Sequence, residues 1–319
     1  MTLAPAAFVP RRVAVLGAGA VGGYFGAKLA RAGVGVTLIG RRAHVEAIER
    51  DGLRVLQDGG EWSARVRAAT DPAAARDADV VLVTVKTPDT TAAARTLAPH
   101  LRADTRLVSL QNGVDNAARI GAVLEQPVYA AVVYVGCSME GPGVVRHTGR
   151  GDLVLGVPRA LATRGDTGAD LRVLAAMFEA AGVPCPVSPD IEAALWTKLT
   201  INCACNAVSA LGNARYGRMT AFPAVRVVME DAVRETVAGM ARHLANSTPA
   251  EAGRNVTYPG QNTLRTRGDM DFDDISRVCP WIETSTDLGI DLDLEQKARP
   301  RVFKSHLNAD SVPKGGRYI

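Results

Sequence analysis

The chain has 319 residues, 47% of them hydrophobic and 22% charged, and a formal net charge of +4. That composition is ordinary for a globular protein long enough to build two hydrophobic cores. The small charge, with no basic run, excludes a nucleic-acid platform and leaves a mild preference for anionic ligands; no apolar stretch reaches the length of a bilayer span.

The first ten residues, MTLAPAAFVP, lack a basic region and a long apolar core, so they read as a loose extension rather than a signal peptide. Residues 12–17 (RVAVLG) form an apolar run ending in glycine, expected to be a strand. Gly17-Ala18-Gly19-Ala20-Val21-Gly22 follows as a G-x-G-x-x-G turn, then a helical pattern through Ala32. A second strand, Gly35 to Ile39, ends in Gly40-Arg41-Arg42. Strand, glycine turn, helix and strand make the first half of a dinucleotide-binding fold. Gly17 allows the tight turn, Gly19 lets the backbone approach a pyrophosphate, and Gly22 lets helix and strand pack closely. The helix start at Ala20 and Val21 offers N–H groups to phosphate. An acid at the end of the second strand would accept the ribose 2′-hydroxyl of NAD; here Arg41 and Arg42 suit a 2′-phosphate, so the cofactor expected is NADPH.

Residues 43–70 read as a helix and a β-excursion through Leu53-Arg54-Val55-Leu56. Asp79 to Val85 is the purest buried-strand run in the chain, closed by Lys86-Thr87. Thr90 to Leu101 is helical, Leu107 to Leu110 is a strand closed by Gln111-Asn112-Gly113, Asp115 to Leu124 is helical, and Val128 to Val135 is a strand. Residues 144–147 and 152–156 read as a late hairpin. This alternation predicts an α/β fold: an N-terminal Rossmann-type, doubly wound, mainly parallel sheet whose ligand crevice lies at the carboxyl ends of its strands. Lys86 and Asn112 fall at those ends.

Asp170 to Ala181 is a helix stopped by Gly182, and Pro184, Pro186 and Pro189 punctuate a linker. The domain boundary is expected near Pro186, giving a dinucleotide-binding domain over 1–186 and a second, mostly α-helical domain over 187–319. Ser188 reads as the N-cap of a helix running to about Leu211, and a second long helix covers Pro223 to Leu244. The first of these helices carries Lys198, Asn202 and Asn206 at intervals of four, one polar stripe on an otherwise apolar helix. Buried polar groups need partners, which a small polar substrate would supply. On spacing alone, a stripe facing solvent or bonded to loops is the readier reading. Five scattered cysteines, Cys137, Cys185, Cys203, Cys205 and Cys279, argue against a disulfide framework or a metal site and for reduced thiols in a cytoplasmic protein.

The chain resembles the ketopantoate reductase (2-dehydropantoate 2-reductase) family. The resemblance rests on the Gly17 to Gly22 turn, Val85-Lys86-Thr87, Gln111-Asn112-Gly113, His147-Thr148-Gly149, and Glu192-x-x-x-Trp196-x-Lys198-x-x-x-Asn202-x-x-x-Asn206. It implies reduction of a small branched 2-oxo acid, most simply 2-dehydropantoate, with NADPH, and it suggests a homodimer. Lys198 would be the catalytic lysine serving the ketone oxygen. Asn112 would hold the nicotinamide end of the cofactor near the substrate, with Lys86 at the cofactor crevice. Asn202 and Asn206 would bind the substrate's polar end.

The tail departs from the family. A serine and a glutamate twelve residues apart are expected; a gapless match puts Thr257 and Asp269 in their places, as substrate-binding and catalytic residues respectively. The hydroxyl and carboxylate chemistry is kept, but the acid is one methylene shorter. This departure leaves open a relative acting on a different carbonyl or imine, or a non-catalytic regulatory protein that binds NADPH.

Overall fold

The structure, a computed structural model, describes residues 9–164 and 167–246. The first unit is built on a single nine-stranded sheet. Its strands are β1 (Arg12–Leu16), β2 (Gly35–Ile39), β3 (Leu53–Gln57), β4 (Gly60–Ala64), β5 (Arg67–Ala69), β6 (Val80–Val83), β7 (Arg106–Ser109), β8 (Val128–Gly141) and β9 (Val144–Gly156). They lie in the order β4-β3-β9-β8-β7-β6-β1-β2-β5. Six pairings are parallel; β3–β4 and β8–β9 are antiparallel. The helices of this unit are α1 (Ala20–Arg31), α2 (Arg42–Asp51), α3 (Thr90–Leu97), α4 (Asn116–Gly121) and α5 (Thr167–Ala180).

Strand alternation sends successive side chains into two separate cores. Val13, Val15, Val36, Leu38 and Leu82 pack on one face against Phe25 and Leu29 of α1 and Phe178 of α5. Ala14, Leu16, Val81 and Val83 pack on the other, against Leu97 of α3 and Ile120 of α4. Helices therefore cover both faces, which is why β6 reads as an unbroken aliphatic run rather than an alternating one. The doubly wound Rossmann-type sheet expected from the sequence is present.

A buried ion pair joins α5 to the sheet. The Asp170 carboxylate accepts from Arg106 Nε and Nη2, both at 3.1 Å, and from the Tyr129 hydroxyl at 2.7 Å. The Asp170 side chain is 3% exposed, so its charge is compensated almost entirely by these donors.

Three local expectations are corrected. Residues 144–147 and 152–156 do not form a hairpin with each other; both belong to β9, which pairs antiparallel with β8 through several register shifts. The Gly149-Arg150-Gly151 string that resembles a turn is an irregularity within the strand. Gly151 sits so close beneath Tyr24 that a Cβ there would be 2.5 Å from the phenol oxygen. The reversal instead falls at Pro142-Gly143, where Gly143 has φ +74°. β4 extends the β-excursion after α2 into a hairpin, and β5 adds an edge strand beside β2.

The third correction is the helix cap. α6 (Ile191–Gly212) is capped by Asp190, whose carboxylate accepts the Ala193 N–H at 3.1 Å, whereas Ser188 accepts the N–H of Asp190. The proline at 189 precedes the helix rather than opening it.

The chain divides into compact units between Leu195 and Trp196, within α6. Ile191 and Leu195 pack with the sheet core. In the second unit α6 is followed by α7 (Tyr216–Met219) and α8 (Pro223–Asn246), so its described part is helical. A small core there gathers Ala204 and Cys205 of α6, Met219 of α7, and the half-buried Val225 and Met229 of α8. No helix among the described residues is long and apolar enough to cross a membrane.

Candidate active site

The glycine turn follows β1 directly. Gly17 has φ +103°, a left-handed conformation suited to glycine, and its N–H and that of Ala18 both donate to the Ile39 carbonyl of β2. A Cβ on Gly22 would meet the Gly17 carbonyl at 2.5 Å and Thr84 Oγ1 at 2.6 Å, so α1 reaches this close to β1 only because the residue is glycine. Gly19 is different: nothing lies within 4 Å of where its Cβ would be. It is the N-cap of α1, it supplies no side-chain cap, and the first turn holds no acid. Ala20 and Val21 thus begin a helix whose N-terminal N–H groups are not satisfied by a cap side chain. An open Gly19 above such a helix start fits the pyrophosphate of a dinucleotide.

Thr84, just past β6, completes this turn. Its hydroxyl donates to the Gly17 carbonyl at 2.6 Å and lies 3.1 Å from that of Leu16. Sequence reasoning passed over it, although a lone hydroxyl within a run of valines was a signal.

Three further residues stand on the same sheet edge. Arg41 is the N-cap of α2, immediately beyond β2; its carbonyl accepts the N–H groups of His44 and Val45. Arg41 and Arg42 are exposed, and neither makes an ion pair among the described residues. Lys86 follows β6 and Asn112 follows β7, both exposed. The strands β2, β1, β6 and β7 are parallel neighbours in that order. Arg41, the glycine turn, Lys86 and Asn112 are therefore set out in sequence along one carboxyl edge, across about 14 Å at the usual strand spacing. Anion-binding groups come first and a polar amide last.

On α6, Lys198, Asn202 and Asn206 fall on successive turns and are all half-buried, so the stripe is neither sealed in the core nor fully in solvent. Trp196, Leu199, Ala204 and Cys205 around them are buried. The Tyr216 hydroxyl donates to Asn206 Oδ1, a contact made by the short α7 that sequence reasoning did not foresee. Near the start of the same helix, Glu192 accepts the backbone N–H of Arg159 at 2.7 Å, tying α6 to the loop after β9. Thr257 and Asp269 lie outside the described residues.

Three of the described thiols are held in their neutral form by burial. Burial pushes Cys137 up to about 11 and Cys185 to about 12, and it raises Cys205 as well. Such groups are neutral at physiological pH and poor nucleophiles. No cluster of His, Cys, Asp and Glu suited to a metal occurs among the described residues.

Two family models match the chain, "Ketopantoate reductase PanE/ApbA" over residues 13–160 and "Ketopantoate reductase PanE/ApbA C terminal" over residues 190–273. The chain belongs to the ketopantoate reductase family. It is similar to the 2-dehydropantoate 2-reductase of Halobacterium salinarum, 38% identical over 233 residues that cover 71% of this chain and 74% of the relative. Among solved structures it is similar to a PanE/ApbA family ketopantoate reductase from Ralstonia eutropha JMP134, with 45% identity and a TM-score of 0.64, covering 76% of this chain and 77% of that one. A 2-dehydropantoate 2-reductase from Geobacter metallireducens GS-15 gives 33% identity and a TM-score of 0.64, covering 72% and 74% of the two chains. The ketopantoate reductase match spans both the glycine turn and the Lys198 helix.

Proposed function

We propose that the protein is an NADPH-dependent reductase of a small branched 2-oxo acid, most simply 2-dehydropantoate. The observation that carries the reading is the ordered edge of the sheet. Arg41, the open Gly19 turn, Lys86 and Asn112 succeed one another as the 2′-phosphate, pyrophosphate and nicotinamide parts of the cofactor require. The curated relatives, named 2-dehydropantoate 2-reductase, support the substrate.

When bound, NADPH supplies the hydride. Arg41 binds the 2′-phosphate with a charge-assisted contact that NADH lacks. Gly19, with no side chain, lets the pyrophosphate approach the backbone, Ala20 and Val21 present N–H groups to it, and Asn112 orients the nicotinamide end. Lys198 stands at the ketone oxygen, where negative charge develops as the carbonyl carbon is reduced. Its ammonium stabilises that charge more in the transition state than in the ground state, and it delivers the proton that completes the 2-hydroxy acid. Asn202 and Asn206 bind the substrate's polar end. Thr257 and Asp269 are the residues assigned to the family's serine and glutamate.

Steady-state kinetics of Lys198→Ala test the mechanism. We expect kcat to fall by ~10²-fold or more, with the dissociation constant of NADPH nearly unchanged. Full turnover by this variant would remove Lys198 from the reaction.

A further inference from the structure

Beneath the loops that carry Lys86 and Asn112 runs a circuit of side-chain hydrogen bonds to which the reading above assigns no part. It links Ser109, Gln111, Thr90, Asn116 and Thr87, and the first four are 0–6% exposed. Ser109 Oγ donates to Gln111 Oε1 at 3.0 Å. Gln111 Nε2 donates to the Val85 carbonyl at 3.0 Å and to Thr90 Oγ1 at 2.6 Å. Thr90 Oγ1 passes its own proton to Asn116 Oδ1 at 2.9 Å. Asn116 Nδ2 donates to the Asn112 carbonyl at 2.7 Å and reaches Thr87 Oγ1 at 3.3 Å, and Thr87 donates to that same carbonyl at 3.1 Å.

The direction of every link is forced. The Asn112 carbonyl can only accept, so Asn116 must present its NH2 there and its Oδ1 to Thr90. Thr90 must then donate to Asn116 and accept from Gln111, which leaves Gln111 Oε1 for the Ser109 hydroxyl. Turning either amide over would set its oxygen against a backbone carbonyl, Asn112 for one and Val85 for the other, acceptor against acceptor in a buried place, at a cost of about 1–3 kcal/mol. A fully satisfied circuit of this kind has one arrangement, and it holds the two loops in one register. It converges on a single peptide, Asn112–Gly113, whose carbonyl receives two hydrogen bonds. Gly113 has φ +105°, and a Cβ on it would lie 3.1 Å from Asn116 Nδ2, so this peptide geometry calls for glycine.

We propose that Asn116, oriented by Thr90 and Gln111, is a positioning residue: it fixes the Asn112–Gly113 peptide and thereby the nicotinamide end of the bound cofactor. This rests on the NADPH reading given above. The circuit lies at the Asn112 end of the sheet edge, three strands from Arg41, so it acts on one half of the dinucleotide and not the other.

The test compares Thr90→Val, nearly isosteric but without the hydroxyl, with Thr90→Ser, which keeps it, and with Asn116→Ala as an independent cut. Each is titrated with adenosine 2′,5′-bisphosphate, which lacks the nicotinamide, and with NADPH while the nicotinamide emission is followed. Thr90→Val and Asn116→Ala are expected to bind the bisphosphate within ~2-fold of the wild type and to lose most of the emission change, with kcat on 2-dehydropantoate lower by ~10- to 10²-fold. Thr90→Ser should keep both. Wild-type emission and kcat in folded Thr90→Val or Asn116→Ala would overturn the proposal, as would equal weakening of bisphosphate and nicotinamide signals. Should the wild type bind NADPH yet oxidise none with 2-dehydropantoate, the substrate assignment fails, and the emission comparison decides the role of the circuit.

Discussion

A Cβ on Gly22 would stand 2.5 Å from the carbonyl oxygen of Gly17, the residue that opens the same turn. The two glycines are thus coupled: Gly17 bends the chain, and Gly22 lets α1 return against β1 under the bend. Gly19, between them, faces open space. The same residue type therefore serves packing at one position and ligand access at another, and the two roles separate on mutation. Gly22→Ala must displace backbone and is expected to lower stability by about 1–3 kcal/mol. Gly19→Ala should leave the melting temperature nearly unchanged but weaken NADPH binding, because its methyl enters the space assigned to the pyrophosphate. Thermal melts and NADPH titrations of both variants check this; a stable Gly22→Ala, or wild-type NADPH affinity in Gly19→Ala, would contradict it.

Arg41 gives the cofactor prediction. Loss of a charge-assisted phosphate contact costs about 1.5–3 kcal/mol, or ~10- to 10²-fold in affinity. Arg41→Ala should weaken NADPH by that factor and leave NADH within ~2-fold. Titration with both nucleotides is sufficient, and equal weakening of the two would refute the 2′-phosphate contact.

Asp170 gives the stability prediction. Removing one partner of a buried ion pair leaves an uncompensated charge and costs about 3–5 kcal/mol. Arg106 is 20% exposed and keeps some access to water, so Asp170→Ala belongs at the low end, about 3 kcal/mol. That corresponds to a fall of ~6–12 °C in Tm for a unit of this size. Calorimetry measures it directly; a change below 2 °C, roughly the effect of 1 kcal/mol or less, would show that the pair contributes little.

Among the described residues, His44 and Asp79 are two partly buried groups that tie stability to pH on the acid side. Burial lowers the pKa of His44 from its ordinary 6.5; its Nδ1 accepts the Gly143 N–H at 2.8 Å, which also calls for the neutral ring. The unfolded chain therefore binds this proton more readily than the folded one. The stability that His44 contributes is complete above pH 6.5 and is lost as pH falls through its lower folded value. For Asp79, burial raises the pKa, but the N–H groups of Arg11 and Arg12 and the Arg102 guanidinium outweigh it and hold the carboxyl below 3.8. Its contribution is lost only as pH falls below that value. Stability should decline in two stages, and His44→Gln, which keeps an acceptor without a titrating ring, should remove the first. A pH series of melts checks this; an unchanged first stage in His44→Gln would rule the ring out.

The β1–α1–β2 unit was legible because its signals are local: an apolar run, glycines at fixed spacing, and a helical period. So was the Lys198 stripe, which needs only a four-residue interval. The parts misread were those decided by tertiary contact. Gly149-Arg150-Gly151 has turn composition, yet its place beneath Tyr24 makes it part of β9. β4 and β5, reading GEWSA and RAA, carry too few apolar residues to announce strands; their neighbours in the sheet supply the pairing. Ser188 and Asp190 are both good caps, and only the path of the chain shows which accepts the helix N–H. Gln111 is visible in the sequence as part of the Gln111-Asn112-Gly113 string, but the hydrogen bonds it makes depend on Thr90 and, through it, Asn116, 21 residues before and five after it, which no local pattern connects.

The most direct measurement is the oxidation of NADPH by the purified protein on addition of 2-dehydropantoate, followed at the nicotinamide absorbance band, with NADH and unbranched 2-oxo acids in parallel. Rapid oxidation is expected with NADPH and 2-dehydropantoate, and much slower rates in every other combination. NADPH that binds but is not oxidised with 2-dehydropantoate would contradict the proposed reaction.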